Sequence, residues 1–190
     1  MRILIFSIII IIAGCKQHSP PAANAAAGID TTHFFEVKNY FQSQVNEVNK
    51  TPYFIYKIET NNTNRDSVPI DSKKFTEMAK EFLQTDINDP ALKPLYHESI
   101  FYDQTTNSYT LSYTTANKTL PVQNIDVLLR DDAQSVKRIF IRKFSNNSDS
   151  SVIEQLSWKH NEQFQVSRLV QTPDKKETSR QILVVWNNQR

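Results

Sequence analysis

Glycine is almost missing from this chain. Of 190 residues only Gly14 and Gly28 are glycine, so everything beyond residue 28 contains none. A P-loop, a dinucleotide-binding fingerprint and a Gly-x-Ser-x-Gly nucleophile elbow each need glycine where a Cβ would clash, so all three are excluded. Turns must fall to Asn and Asp, which tolerate left-handed backbone best after glycine. Asn146-Asn147 and His160-Asn161 are the expected cases. Cysteine is rarer still. Cys15 stands alone, which excludes a disulfide, a zinc–thiolate site or a cysteine nucleophile from the rest of the chain. No charge sign dominates: 22 Lys and Arg face 20 Asp and Glu, with no basic block, and nucleic acid is not an expected partner. His18, His33, His97 and His160 form no His-x-x-x-His pair, and Asp131-Asp132 and Asp86 with Asp89 lack calcium-loop spacing. Neither a metal nor another cofactor is expected.

What is present begins at the N-terminus. Arg2 precedes an apolar run from Ile3 to Ala13, and small residues lead into Cys15. The run is about half of the roughly 20 residues that a membrane-spanning helix needs, so it reads as a cleaved targeting segment. The stretch Ile12-Ala13-Gly14-Cys15 resembles the lipobox of bacterial lipoproteins. That resemblance implies removal of residues 1–14, diacylation of Cys15 and acylation of the new N-terminus. Lys16 follows, where lipoproteins of the enterobacterial pattern retained in the inner membrane carry aspartate. The implied location is therefore the outer membrane, and the lack of an acidic stretch after Cys15 favours its periplasmic side. Residues 15–29, with Pro20, Pro21 and a run of alanines, read as a lipidated tether without a fixed fold.

Residues 30–190 read as one α+β domain. Phe34, Val37, Phe41, Val45 and Val48 recur at helical spacing, with Asp30 or Thr32 as cap. A strand is predicted over 53–59, then a polar loop over 61–69. A second helix, capped by Asp71 or Ser72, runs to Gln84 with Phe75, Met78, Ala79 and Phe82 on one face. Beyond Tyr96 the period becomes two. Strands are predicted over 96–103, 108–114, 124–130, 136–144, 152–158, 163–171 and 181–187, and the short polar separators predict an antiparallel meander. The expected fold is two N-terminal helices packed on a curved, mainly antiparallel sheet of about six to eight strands.

Two features point to binding. Arg138, Phe140 and Arg142 alternate along one strand and share a face, a pattern suited to an acidic partner or lipid headgroup, with guanidinium stacking on the ring. The plainer reading is an ordinary outer strand face, paired across the sheet with Glu154 and similar residues. Tyr109 and Tyr113 belong to an aromatic-rich set that lines a ligand pocket if the sheet is concave and fills the core otherwise. Asp30-Thr31-Thr32 and Asp66-Ser67-Val68 look like the short O-glycosylation pattern of Bacteroidetes.

The leading expectation is an envelope lipoprotein with a non-catalytic binding or scaffold role. Its partners are the membrane, through lipid, and an envelope protein or apolar ligand. The alternative is a carrier or receptor for lipid or lipoprotein acyl chains held between helices and sheet. In architecture alone the expected fold is similar to the outer-membrane lipoprotein-localisation receptor family, and also to the nuclear-transport-factor-like fold. A catalytic triad assembles in space rather than in sequence, so an enzyme stays as a third alternative.

Overall fold

A computed structural model of the protein describes residues 34–174 and 176–187. The lipobox, Cys15 and the tether lie outside the described residues, as does the Asp30-Thr31-Thr32 motif. The first helix, α1 (Val37–Lys50), buries Val37, Phe41, Gln44, Val45 and Val48. Its cap position is Glu36, which makes no side-chain capping bond. A hairpin follows, β1 (Ile55–Asn61) and β2 (Asn64–Ile70), and only then α2 (Ser72–Leu83). Asp71 caps α2 by accepting from the Lys74 N–H at 2.7 Å. A single 3₁₀ turn, Lys93–Leu95, precedes seven strands: β3 (His97–Asp103), β4 (Ser108–Thr114), β5 (Val122–Leu129), β6 (Val136–Asn146), β7 (Ser151–Lys159), β8 (Gln163–Gln171) and β9 (Glu177–Val185).

The strands form a single open sheet in the order β2-β1-β9-β8-β7-β6-β5-β4-β3, with every pairing antiparallel. The meander is as the periodicity implies. Two expectations are corrected. The sheet has nine strands among the described residues rather than six to eight, and the helices are not both N-terminal, because a hairpin separates them. The ninth strand is β2, where a polar loop was expected. Its sequence, Asn-Arg-Asp-Ser-Val-Pro-Ile, has almost no apolar periodicity. It pairs because β1 offers a free ladder edge and Asn62, at φ 52°, closes a two-residue turn between Asn61 and Asn64. Pro69 and the charges of Arg65 and Asp66 suit this edge position.

β2 and β3 follow one another in sequence yet form opposite edges of the sheet. Eight interstrand steps separate them, roughly 38 Å at the usual spacing. The twelve residues of α2 rise about 18 Å, so residues 84–96 supply the remaining span. α2 therefore lies across the sheet as a crossover, on the same face as α1. Phe41 of α1 meets Phe82 of α2 at 5.1 Å and Trp158 of β7 at 5.3 Å between ring centroids. Phe75 and Phe82 reach Phe164 of β8 at 5.6 and 5.2 Å. Trp186 completes the cluster, 5.3 Å from Trp158. All six rings are buried. Neither indole N–H of Trp158 and Trp186 has a hydrogen-bond partner among the described residues.

The inner face is apolar in register. Tyr113, Ile125, Ile141, Leu156, Val166 and Ile182 are successive cross-strand neighbours, as are Leu111, Val127, Ile139, Trp158, Phe164 and Val184. Among the described residues, four non-glycine residues with positive φ stand where glycine is usual: Asn62, Asn107, Ala133 and Asn161. Asn161 fits the expectation for His160-Asn161. The turn after Asn146 closes differently, with the Asn147 side chain accepting from the N–H groups of Asp149 and Ser150.

Candidate partner-binding face

The strand alternation of β6 sends Ile139 and Ile141 into the core and Arg138, Phe140, Arg142 and Phe144 to the opposite face. Both helices pack on the inner face, so among the described residues no helix lies over this outer stripe. Phe140 is 41% exposed, and the Arg138 guanidinium sits 5.5 Å from its ring centroid, at cation–π distance. Phe140 faces Asp126 and Ser157 across the ladders, and Arg142 faces Asn124 and Gln155. Asp126 is engaged by the Ser112 hydroxyl at 2.7 Å and the Asn124 amide at 2.7 Å. Among the described residues neither Arg138 nor Arg142 reaches a carboxylate at salt-bridge distance.

This overturns the plainer reading in one respect. Glu154 does not neutralise the stripe. It stands opposite Lys143 and Arg168, on the inner face. The stripe instead continues at its far end into an open depression of about 330 Å³, lined by Lys118, Arg142, Lys143, Gln123, Phe144 and Ile153. Three cations and no carboxylate border it. The Gln123 amide is occupied, donating to the Asn117 and Leu120 carbonyls. Lys143 is drawn inward, where its ammonium donates to the Glu81 carbonyl at 2.9 Å near the C-terminal end of α2. Burial pulls this ammonium below the usual lysine range, and Glu81 and Glu154 oppose the shift. Lys118 and Arg142 remain as the solvent-facing charges. Sequence reasoning missed Lys118, Phe144 and Ile153: the Phe144 N–H donates to the Pro121 carbonyl at 2.8 Å, which ties the loop before β5 to this end of β6, and Ile153 faces Phe144 across the β6–β7 ladder.

The two tyrosines lie elsewhere. Tyr113 is fully buried on the inner face beneath the start of α1, and its hydroxyl accepts from the Phe35 N–H at 2.9 Å. Burial pushes its phenol well above the usual tyrosine range. Tyr109 is half-buried and packs on Tyr102 of the edge strand, 4.6 Å between centroids. Neither shares a surface with the arginines. They do share the inner face with Leu111, as the alternation implies, and the space over Tyr113 is filled by Phe34 at 4.8 Å.

A second polar arrangement lies on the inner face beside the C-terminal end of α2. Lys143, Glu154, Arg168 and Arg180 follow one another directly across β6, β7, β8 and β9. Arg168 binds Glu154 through Nε at 2.6 Å and Glu81 of α2 through Nη2 at 3.4 Å. Arg180 binds Glu59 at 2.8 Å, and Lys57 binds the other oxygen of Glu59 at 2.8 Å. Hydrogen bonds from Lys57, then Arg180 and Asn61, hold the Glu59 carboxyl down at about 2.

Among the described residues no helix is long and apolar enough to cross a membrane, and no three His, Cys, Asp or Glu side chains gather as metal ligands. Comparison with family models, curated proteins and solved structures finds no match to this chain.

Proposed function

We propose that this chain is an envelope lipoprotein, anchored through Cys15 on the periplasmic side of the outer membrane, with a non-catalytic binding or scaffold role. The lipobox-like Ile12-Ala13-Gly14-Cys15 supports the anchor, and the proline- and alanine-rich tether supplies reach. The recognising surface is the outer stripe of β6. One observation carries that reading: Arg138 and Arg142 flank an exposed Phe140, without carboxylate partners or a covering helix among the described residues. Such a face suits an acidic segment of a partner protein, with the ring supplying contact area and the guanidiniums register.

The carrier alternative has less support. An acyl chain would need the space between helices and sheet, and six aromatic rings occupy it. A photo-crosslinking residue placed at Phe140 in cells should capture one envelope protein, and R138E with R142E should abolish that product. Capture of nothing, or of a product indifferent to the charge reversal, sinks the recognition reading. Lipid extracted stoichiometrically from the purified protein would restore the carrier.

A further inference from the structure

A separate cavity of about 180 Å³ opens between α2 and the strands β8 and β9, on the face opposite the Arg138 stripe. Its walls segregate charge. The helix wall contributes only carboxylates, Glu77 and Glu81, and the strand wall only guanidiniums, Arg168 and Arg180. The floor is apolar, made by Met78, Val166, Ile182 and Phe164.

The two arginines stand directly opposite one another on neighbouring strands. Like charges so placed repel, and each is held by a carboxylate outside the cavity, Glu154 for Arg168 and Glu59 for Arg180. Those pairs engage Nε of Arg180, and Nε and one terminal nitrogen of Arg168. Both terminal nitrogens of Arg180 have no acceptor among the described residues, Nη2 of Arg168 also reaches Glu81, and the side chains are 41% and 52% exposed for Arg168 and Arg180. Across the mouth, Glu81 reaches Arg168 only at 3.4 Å, and Glu77 is held at 3.0 Å by Lys74 of its own helix, which leaves carboxylate lone pairs on that wall.

We propose that this cavity binds a small zwitterion with an apolar side chain, an α-amino acid of about leucine size. Its carboxylate lies between Arg168 and Arg180, its ammonium meets Glu77 and Glu81, and its side chain covers Met78, Val166 and Ile182. The volume of about 180 Å³ restricts the occupant to a small molecule. Nothing in this depends on the outer-face reading, because the two sites share no residue.

Isothermal titration of the full chain with L-leucine, L-methionine and L-phenylalanine tests it, beside 4-methylpentanoate and isoamylamine, which keep the leucine side chain but one charge each. At least one amino acid binds, and both analogues of leucine bind about tenfold more weakly or worse, as expected for one lost charge-assisted contact. R180Q and E77Q alter exposed side chains, leave the fold intact by circular dichroism, and each weaken the amino acid by about tenfold. Absence of heat with all three amino acids at millimolar concentration overturns the proposal. So does 4-methylpentanoate binding as tightly as leucine, or E77Q binding unchanged.

Discussion

Phe35 donates its backbone N–H to the phenol oxygen of Tyr113 across 2.9 Å, joining the entry to α1 with the centre of β4. The two residues are 78 positions apart. Among the described residues α1 has no side-chain cap, and this bond and the ring of Phe34 against Tyr113 tie the entry of the helix to the sheet. Tyr113→Phe keeps the packing and leaves the N–H without an acceptor. It should lower stability by about 1–2 kcal/mol, read as a shift in the urea midpoint with unchanged slope.

α2 is capped where α1 is not. Asp71→Ala removes the acceptor for the Lys74 N–H and should cost about 1 kcal/mol. Chemical denaturation checks it. Asp71→Ser, which restores an oxygen acceptor, should recover most of the loss.

Ala133 sits at φ 57°, between β5 and β6, in a turn whose Asp132 side chain accepts from the N–H groups of Gln134 and Ser135. A Cβ in this region costs roughly 1–2 kcal/mol. Ala133→Gly removes that cost and adds chain entropy to the unfolded state of about 0.4–1 kcal/mol. The net should be a gain of up to about 1.5 kcal/mol. A melting temperature no higher than that of the parent would contradict it.

Glu59 has a pH signature. Its folded carboxyl titrates at about 2, against an ordinary 4.5, held there by Lys57 first and Arg180 second. Its contribution to stability is complete above pH 4.5 and is lost as the pH falls toward 2. Glu59→Gln should therefore be less stable than the parent at neutral pH, with the two curves converging in acid. Thermal melts across that range measure it, and a gap that stays constant with pH would show that Glu59 is not the titrating group.

Cys15→Ser tests the anchor without reference to the fold. Incorporation of labelled palmitate and recovery in the membrane fraction should both be lost, while the soluble chain keeps its circular dichroism spectrum.

Much of the fold is legible residue by residue. The step of three and four through Val37, Phe41, Val45 and Val48 places α1, and the alternation Tyr109, Leu111, Tyr113 places β4. Seven strands from β3 to β9 announce themselves by period and by short polar turns. β2 does not, because an edge strand with one neighbour needs neither a buried face nor β-branched residues, and Arg65, Asp66 and Pro69 fit its role as an edge rather than any periodicity. Along β6 the alternation sorts Arg138, Phe140 and Arg142 onto one face.

The sequence by itself determined the α+β class, the faces of strands such as β4 and β6, the exclusion of three glycine-dependent sites and the lipobox-like start. Those properties are local: they follow from spacing along the chain and from which side chains a turn or loop tolerates. Only the tertiary structure decided that β1 docks against β9, that α2 crosses the sheet between its two edges, that Tyr113 is a buried anchor, and that Glu154 pairs inward and leaves the outer arginines without a carboxylate. These depend on which ladder edges meet and on where two helices come to rest over nine strands. Such pairings join residues far apart in the chain: Arg180 and Glu59 stand 121 positions apart. No local pattern records them, because hydrogen bonding at a strand edge is the same whichever strand arrives.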